Sequence, residues 1–295
     1  MLFKLAPNGE ETVLHTFTGK ADGYAPYGDL FRDAAGDLYG AASNGGDVSG
    51  FCGGAVESAT GFLGCGTVFR LDHTGKFSVL HTFHGTDGGP FPDGWLAQDN
   101  AGNLYGMSGN GGDLSGCSGL GCGVVFKVET TGKETVLYSF TGGADGAESF
   151  AGVIRDAEGN LYGTTYFGGS FSGSLCAGVG GCGVVFKLDS AGKETVLHTF
   201  SGGTDGANPN AGLVQDLEGN LYGTASDGGE LSCNPPGGCG VVFKTSPCLD
   251  TESAVSAEQA GNSEGEKVIL TENAGKQVPQ LLRFGLRGAQ PTQLR

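Results

Sequence analysis

Basic residues are scarce in this 295-residue sequence: 16 Lys and Arg stand against 32 Asp and Glu, for a net charge of −16. So acidic a chain repels nucleic acid and anionic membrane surfaces. It favours cations, basic partners or neutral glycans, or serves solubility alone. Long apolar runs are also missing, and no stretch approaches the ~20 residues of a membrane span. No signal peptide is legible, because Met1-Leu2-Phe3-Lys4-Leu5 already reads as a strand, and the natural amino terminus is expected to lie upstream of it. No Gly-x-Ser-x-Gly elbow stands between a strand and a helix, and no Gly-Lys-Ser/Thr follows the glycine pairs, so hydrolase-elbow and phosphate-loop readings have no support. Tryptophan occurs once, at Trp95, where it breaks an otherwise regular pattern.

What is abundant is glycine, 59 of 295 residues, against a usual share of about 7%. With 18 Phe and 8 Tyr the chain is too aromatic for a disordered one. The glycines are turn punctuation in an all-β protein. Phe3, Phe69, Phe126, Phe186 and Phe243 recur at equivalent positions, 66, 57, 60 and 57 residues apart, and periods of this size mark repeat arrays. Each unit carries four strand-like runs. In the last complete unit these are Val185–Leu188, Glu194–Phe200, Gly212–Gln215 and Asn220–Thr224. Gly9, Gly75, Gly132 and Gly192 join the first two runs as hairpin turns. An Asp-x-x-Gly-Asn/Asp-Leu-Tyr-Gly run joins the last two, its Asp predicting an Asx-turn. Strand alternation places Val196 and Phe200 on one face and Leu197 on the other. A sheet apolar on both faces needs a neighbour on each side, as the blades of a propeller have. The glycine after each Tyr is expected to admit a neighbouring blade closely.

The expected fold is therefore an all-β, β-propeller-like array of about four four-stranded blades, with a β-solenoid as its rival. Residues 1–249 form the repeats, at about 1–66, 67–123, 124–183 and 184–240, with the start of a fifth at 241–249. A chain that opens on a strand reads as an arc of a larger propeller. Residues 250–295 read as a low-complexity, disordered tail.

Eight of the nine cysteines fall as one pair per unit in the same loop: Cys52/Cys65, Cys117/Cys122, Cys176/Cys182 and Cys233/Cys239. Loops this short and glycine-rich bring two Cα atoms within disulfide range. Zinc would need four ligands close together, and no histidine shares these loops. Four disulfides place the protein in an oxidising compartment, extracellular or at the cell surface. Cys248 is left without a mate.

Candidates for chemistry are weak. His15, His81 and His198 occupy one strand position, with Tyr138 in the third unit. A residue repeated in every unit reads as packing. Asp22, Asp87, Asp145 and Asp205 lie in equivalent Asp-Gly turns and are the weak metal candidates, yet one carboxylate per unit falls far short of the 6–8 oxygens calcium takes. No catalytic residue, cofactor or asymmetric carboxylate pair for glycoside cleavage stands out. Trp95 and the longer 52–65 loop break the repeat and are where a ligand site would hide.

The block Gly-Cys-Gly-Val-Val-Phe-Lys-Leu-Asp-x-x-Gly-Lys-Glu-Thr-Val-Leu-His-Thr-Phe, followed by Asp-x-x-Gly-Asn-Leu-Tyr-Gly-Thr, resembles the bacterial GloVer tandem repeat over residues 1–245. The resemblance implies a secreted or surface-attached choice-of-anchor protein with a propeller-like fold and no established activity. Residues 251–295 lack the apolar span of a sorting segment. The expected function is non-enzymatic binding or display, towards a glycan or a protein at the cell surface. The alternatives are a secreted glycan-acting hydrolase or lyase, and a structural filler of a longer surface protein.

Overall fold

The computed structural model describes residues 1–47, 64–85, 89–172 and 174–246. The chain divides into a unit of Met1–Leu249 and a second of Asp250–Arg295; the second, and with it the expected tail, lies outside the described residues. Cys248 lies outside them too.

Among the described residues seventeen strands form five antiparallel sheets in which each strand pairs with its sequence neighbour. The first sheet pairs β1 (Leu2–Leu5) with β2 (Glu11–His15). Three four-stranded sheets follow. They are β3 (Phe31–Arg32), β4 (Leu38–Ala42), β5 (Thr67–Leu71) and β6 (Phe77–Thr82); then β7 (Pro92–Gln98), β8 (Leu104–Ser108), β9 (Val124–Val128) and β10 (Glu134–Ser139); then β11 (Ile154–Arg155), β12 (Leu161–Thr165), β13 (Val184–Leu188) and β14 (Glu194–Thr199). The last sheet holds β15 (Val214–Gln215), β16 (Leu221–Ala225) and β17 (Val241–Thr245). The sheets are out of phase with the sequence units by two strands. Each four-stranded sheet takes its inner pair from one unit and its outer pair from the next, with the cysteine loop between them.

The hairpin glycines behave as their positions require: Gly9, Gly75, Gly132 and Gly192 have φ between +83° and +89°. The Asx-turns form with an added partner. Asp99, Asp156 and Asp216 each accept from the backbone and side-chain amide of the Asn four residues on, and from the Tyr hydroxyl six residues on, at 2.9–3.0 Å. The Tyr of Leu-Tyr-Gly is thus the clasp that locks its own turn. In the first four-stranded sheet Asp37 replaces that Asn. It is buried and accepts from Arg70 and from the backbone and ring of His73.

Two expectations need correction. Phe200 does not share a face with Val196. Register shifts recur in the outer pair of the sheets: Val185 faces His198 while Phe186 faces Val196, leaving Leu197 as an extra residue. Leu80 and Leu137 occupy the same bulge, as does Leu14 in the first pair. One inserted residue reverses the alternation beyond it. Val196 therefore packs towards the preceding sheet, and Leu197 and Phe200 together towards the following one. The glycine after Tyr, moreover, receives a ring from its own sheet. A Cβ on Gly40, Gly106, Gly163 or Gly223 would lie within 2.5–2.8 Å of the ring of cross-strand Phe69, Phe126, Phe186 or Phe243.

That ring placement organises the core. Each Phe lying over glycine meets, edge to face, the Phe that ends the outer strand of the preceding sheet. The pairs are Phe17–Phe69, Phe83–Phe126, Phe140–Phe186 and Phe200–Phe243, with centroids 5.0–5.3 Å apart. One such pair seals each of the four sheet-to-sheet interfaces, surrounded by its own apolar cluster. The cysteine loops are more structured than simple turns. One contains a 3-10 turn, Cys117–Gly119, and the next a short helix, α1 (Ser174–Val179). Among the described residues no helix is long and apolar enough to cross a membrane.

Candidate functional site

Innermost strands begin at four segments of equivalent sequence: 25–29, 91–95, 148–152 and 208–212. Each opens on a non-glycine residue with positive φ: Ala25 (+56°), Phe91 (+63°), Glu148 (+47°) and Asn208 (+54°). Such a conformation costs on the order of 1–3 kcal/mol and persists only where the surroundings over-determine it. Here they do. The N–H groups of Phe91, Glu148 and Asn208 donate to the carbonyls of Cys65, Cys122 and Cys182 at 2.8–2.9 Å. The carbonyls of Ala25, Glu148 and Asn208 accept from the N–H groups of Ser43, Tyr166 and Ser226. The cysteine loops therefore hold the segments that approach the axis.

Disulfides join Cys117 to Cys122, Cys176 to Cys182 and Cys233 to Cys239, with Cα atoms 5.2, 4.9 and 6.1 Å apart. Cys65 is also disulfide-bonded; its expected mate, Cys52, lies outside the described residues. The sulfurs of Cys117–Cys122 sit over Gly142 and those of Cys176–Cys182 over Gly202, where a Cβ would lie within 2.9–3.0 Å of them.

Past the strained residues the segments crowd together. A Cβ on Gly28 would lie 1.9 Å from the Gly94 carbonyl oxygen, one on Gly94 would lie 2.1 Å from the Gly152 nitrogen, and one on Gly152 would lie 1.9 Å from the Trp95 carbonyl oxygen. The Trp95 ring occupies the place a Cβ on Gly212 would need, and its indole N–H donates to the Val153 carbonyl at 3.2 Å. One side chain thus ties the second, third and fourth segments together. Beside it is a cup of about 210 Å³ lined by Tyr27, Gly28, Asp29, Gly94, Trp95, Phe150, Ala151, Asn210, Ala211 and Gly212. Tyr27 is 77% exposed and Phe150 45%. Phe150 is held edge to face by Tyr166, with centroids 5.1 Å apart.

These segments vary from unit to unit. The position two residues beyond the strained one is Tyr27, Asp93, Phe150 and Asn210; the position four beyond is Asp29, Trp95, Gly152 and Gly212. Asp93 turns to Ser43, whose hydroxyl donates to it at 2.6 Å. Burial pushes the Asp93 carboxyl up to about 6, against the opposing pull of that hydrogen bond. Burial likewise raises Glu148.

The Asp-Gly turns lie elsewhere. Asp22, Asp145 and Asp205 each accept from the backbone N–H and hydroxyl of the Thr or Ser four residues earlier. Burial would raise Asp22 and Asp205, but these hydrogen bonds outweigh it and hold both below the ordinary value. Their second role is to clasp the outer strand: His15 and His198 lie 3.3 Å from Asp22 and Asp205, and the Tyr138 hydroxyl donates to Asp145 at 3.1 Å. Asp87 lies outside the described residues. His81 meets Glu134 of the following sheet at 3.3 Å. Among the described residues no group of three His, Cys, Asp or Glu side chains is placed to hold a metal.

Trp95, singled out as a break in the repeat, does line the cup. Tyr27, Asp29, Phe150 and Asn210 do not emerge from the repeat pattern, because comparing units finds what they share. The signal that finds them is the reverse one, the register position at which the units disagree.

Antiparallel sheets stacked face to face, with their inner strands converging on a plugged axis, define a propeller-like repeat protein. The chain belongs to the Gloeobacter/Verrucomicrobia repeat family, whose sequence profile matches residues 1–230 and again residues 120–276. No curated protein matches the chain in sequence. Among solved structures it is similar to a gluconolactonase from Xanthomonas campestris, with 15% identity, a TM-score of 0.45 and coverage of 83% of this chain and 65% of that one. It is also similar to a luciferin-regenerating enzyme, with 16% identity, a TM-score of 0.41 and coverage of 74% of this chain and 60% of that one. The chain thus spans less than two thirds of either structure's length, and likeness at this level carries no argument about activity.

Proposed function

We propose that this chain is a non-enzymatic binding module of the extracellular space or cell surface, and that its ligand sits in the axial cup. One observation carries the reading. Four segments that differ in sequence from unit to unit, at the strained position as well as two and four residues beyond it, converge on a single cavity and supply its two exposed aromatic rings, its carboxylate and its amide. A packing role would keep these positions alike, as it keeps the Phe pairs alike. The disulfides support export, since such bonds persist in oxidising compartments. Screening the full chain against glycan and peptide arrays tests the binding reading. Captured ligands should be lost from Tyr27→Ala and Phe150→Ala variants that melt like the parent. Ligands retained by both variants would move the site elsewhere.

A hydrolytic reading has one observation of its own: Asp93, buried beside the cup segments and raised to about 6, has the character of a general acid. Turnover of lactone, ester or glycoside substrates, abolished by Asp93→Asn, would replace the binding reading with this one.

A further inference from the structure

We infer that the axial cup takes an organic ammonium ligand, a methylated amine head group being the best match. The inference rests on the binding reading above and names the ligand class for that same cavity. Three features point to a cation. Tyr27 and Phe150 leave their rings accessible in one cavity, and the negative face of an aromatic ring attracts a cation whose hydration is weak. Asp29 is exposed on the same wall, and among the described residues its carboxylate has no ion pair or hydrogen-bond partner. Among the described residues no Lys, Arg or His lines the cup to offset that charge.

Size and field agree with this. A cavity of about 210 Å³ holds a small head group, and its remaining lining is of small residues, Gly94, Ala151, Ala211 and Gly212, with Trp95 as a third aromatic side chain. Asn210 supplies an amide for a hydroxyl or carbonyl carried near the ammonium. The net charge of −16 raises the local concentration of cations around the whole molecule. A bare metal ion fits less well, because two rings and one carboxylate leave most of its coordination shell unfilled.

Trp95 is the single tryptophan of the chain and lines the cup, so its fluorescence reports occupancy. The full chain is titrated with choline, with tetramethylammonium, and with 3,3-dimethyl-1-butanol, the neutral isostere of choline. The expected result is a saturable change with both cations and none with the neutral alcohol. Asp29→Asn and Tyr27→Ala should each weaken binding at least about fivefold. Both residues are exposed, and unchanged thermal melts show that the variants fold. Equal binding of the neutral isostere, or choline binding indifferent to Asp29→Asn, overturns the ligand class and leaves the cup as the site. Choline binding indifferent to Tyr27→Ala and Phe150→Ala removes the cup itself. The absence of any response to either cation up to about 100 mM also overturns the ligand class.

Discussion

Gly94 leaves the axis no slack. Its φ is +74°, and a Cβ there would lie 2.1 Å from the Gly152 nitrogen and 2.3 Å from the Ala151 carbonyl carbon. Both obstacles are backbone, so neither can rotate away. Gly94→Ala is expected to lower the denaturation midpoint by the equivalent of about 3 kcal/mol, from backbone strain and overpacking together. Gly75 is the control. It too has a positive φ, +89°, in the β5–β6 hairpin, but nothing lies within 4 Å of its Cβ position. Gly75→Ala should cost only the turn term, about 1 kcal/mol. Equal losses for the two would mean that crowding at the axis adds nothing. The Asx-turn offers a second residue-scale test. Tyr222→Phe removes the hydroxyl that closes the Asp216 turn at 2.9 Å and should cost about 1 kcal/mol in a chemical melt.

Within each interface the edge-to-face Phe pair dominates. Phe140 and Phe186 are both buried, with centroids 5.2 Å apart. Phe140→Ala should destabilise by about 3–5 kcal/mol. A double-mutant cycle with Phe186→Ala should return a coupling of about 0.5–1.5 kcal/mol. A coupling of zero would assign the stability to burial alone. The outer strand shows how an element escapes simple alternation. Its bulge at Leu80, Leu137 and Leu197 lets one short strand present Val to the sheet before it and Leu and Phe to the sheet after it. The cysteine loops act at this scale as well. Reduction of Cys117–Cys122 should speed hydrogen exchange at the Glu148 amide, which donates to the Cys122 carbonyl at 2.8 Å, while leaving the β9–β10 amides protected. Uniform loosening of the whole sheet would show that the bond stabilises the fold globally rather than the cup.

Across the whole molecule two sets of carboxylates oppose each other in pH. Burial, with the charge of Asp145, pushes Glu194 up to about 7, and burial pushes Asp93 up to about 6. Raised values mean that the fold prefers the neutral acids. Their contribution is present below about pH 4 and is lost as pH rises through 6–7. Hydrogen bonding works the other way on Asp37, held at about 2 by His73 and Arg70, and on Asp216, held at about 2 by Asn220 and Tyr222. Their contribution is present above the ordinary value of 3.8 and is lost as pH falls towards 2. Thermal melts from pH 2 to 8 should therefore peak on the acid side of neutrality, near about pH 4–5. Glu194→Gln should flatten the decline above that peak. A curve that keeps rising to pH 8 would contradict the assigned environment of Glu194.

The sequence by itself determined the repeat, the strands, the hairpin glycines, the Asx-turns and the cysteine pairs, because each is a local pattern whose cause lies within a few residues. An Asp four residues before an Asn makes its turn wherever the chain goes. The tertiary structure decided what depends on residues far apart in the chain. The bulge that puts Phe200 beside Leu197 is set by pairing between strands, and the ring over each Tyr-Gly glycine comes from the strand paired across it. The cup exists because segments some 60 residues apart meet at Gly28, Gly94 and Gly152, where a Cβ would strike the backbone of the next segment. Tyr27, Asp29, Phe150 and Asn210 are unremarkable in their own units and become a site only on converging. That convergence is a property of how the sheets stack, which no single unit encodes.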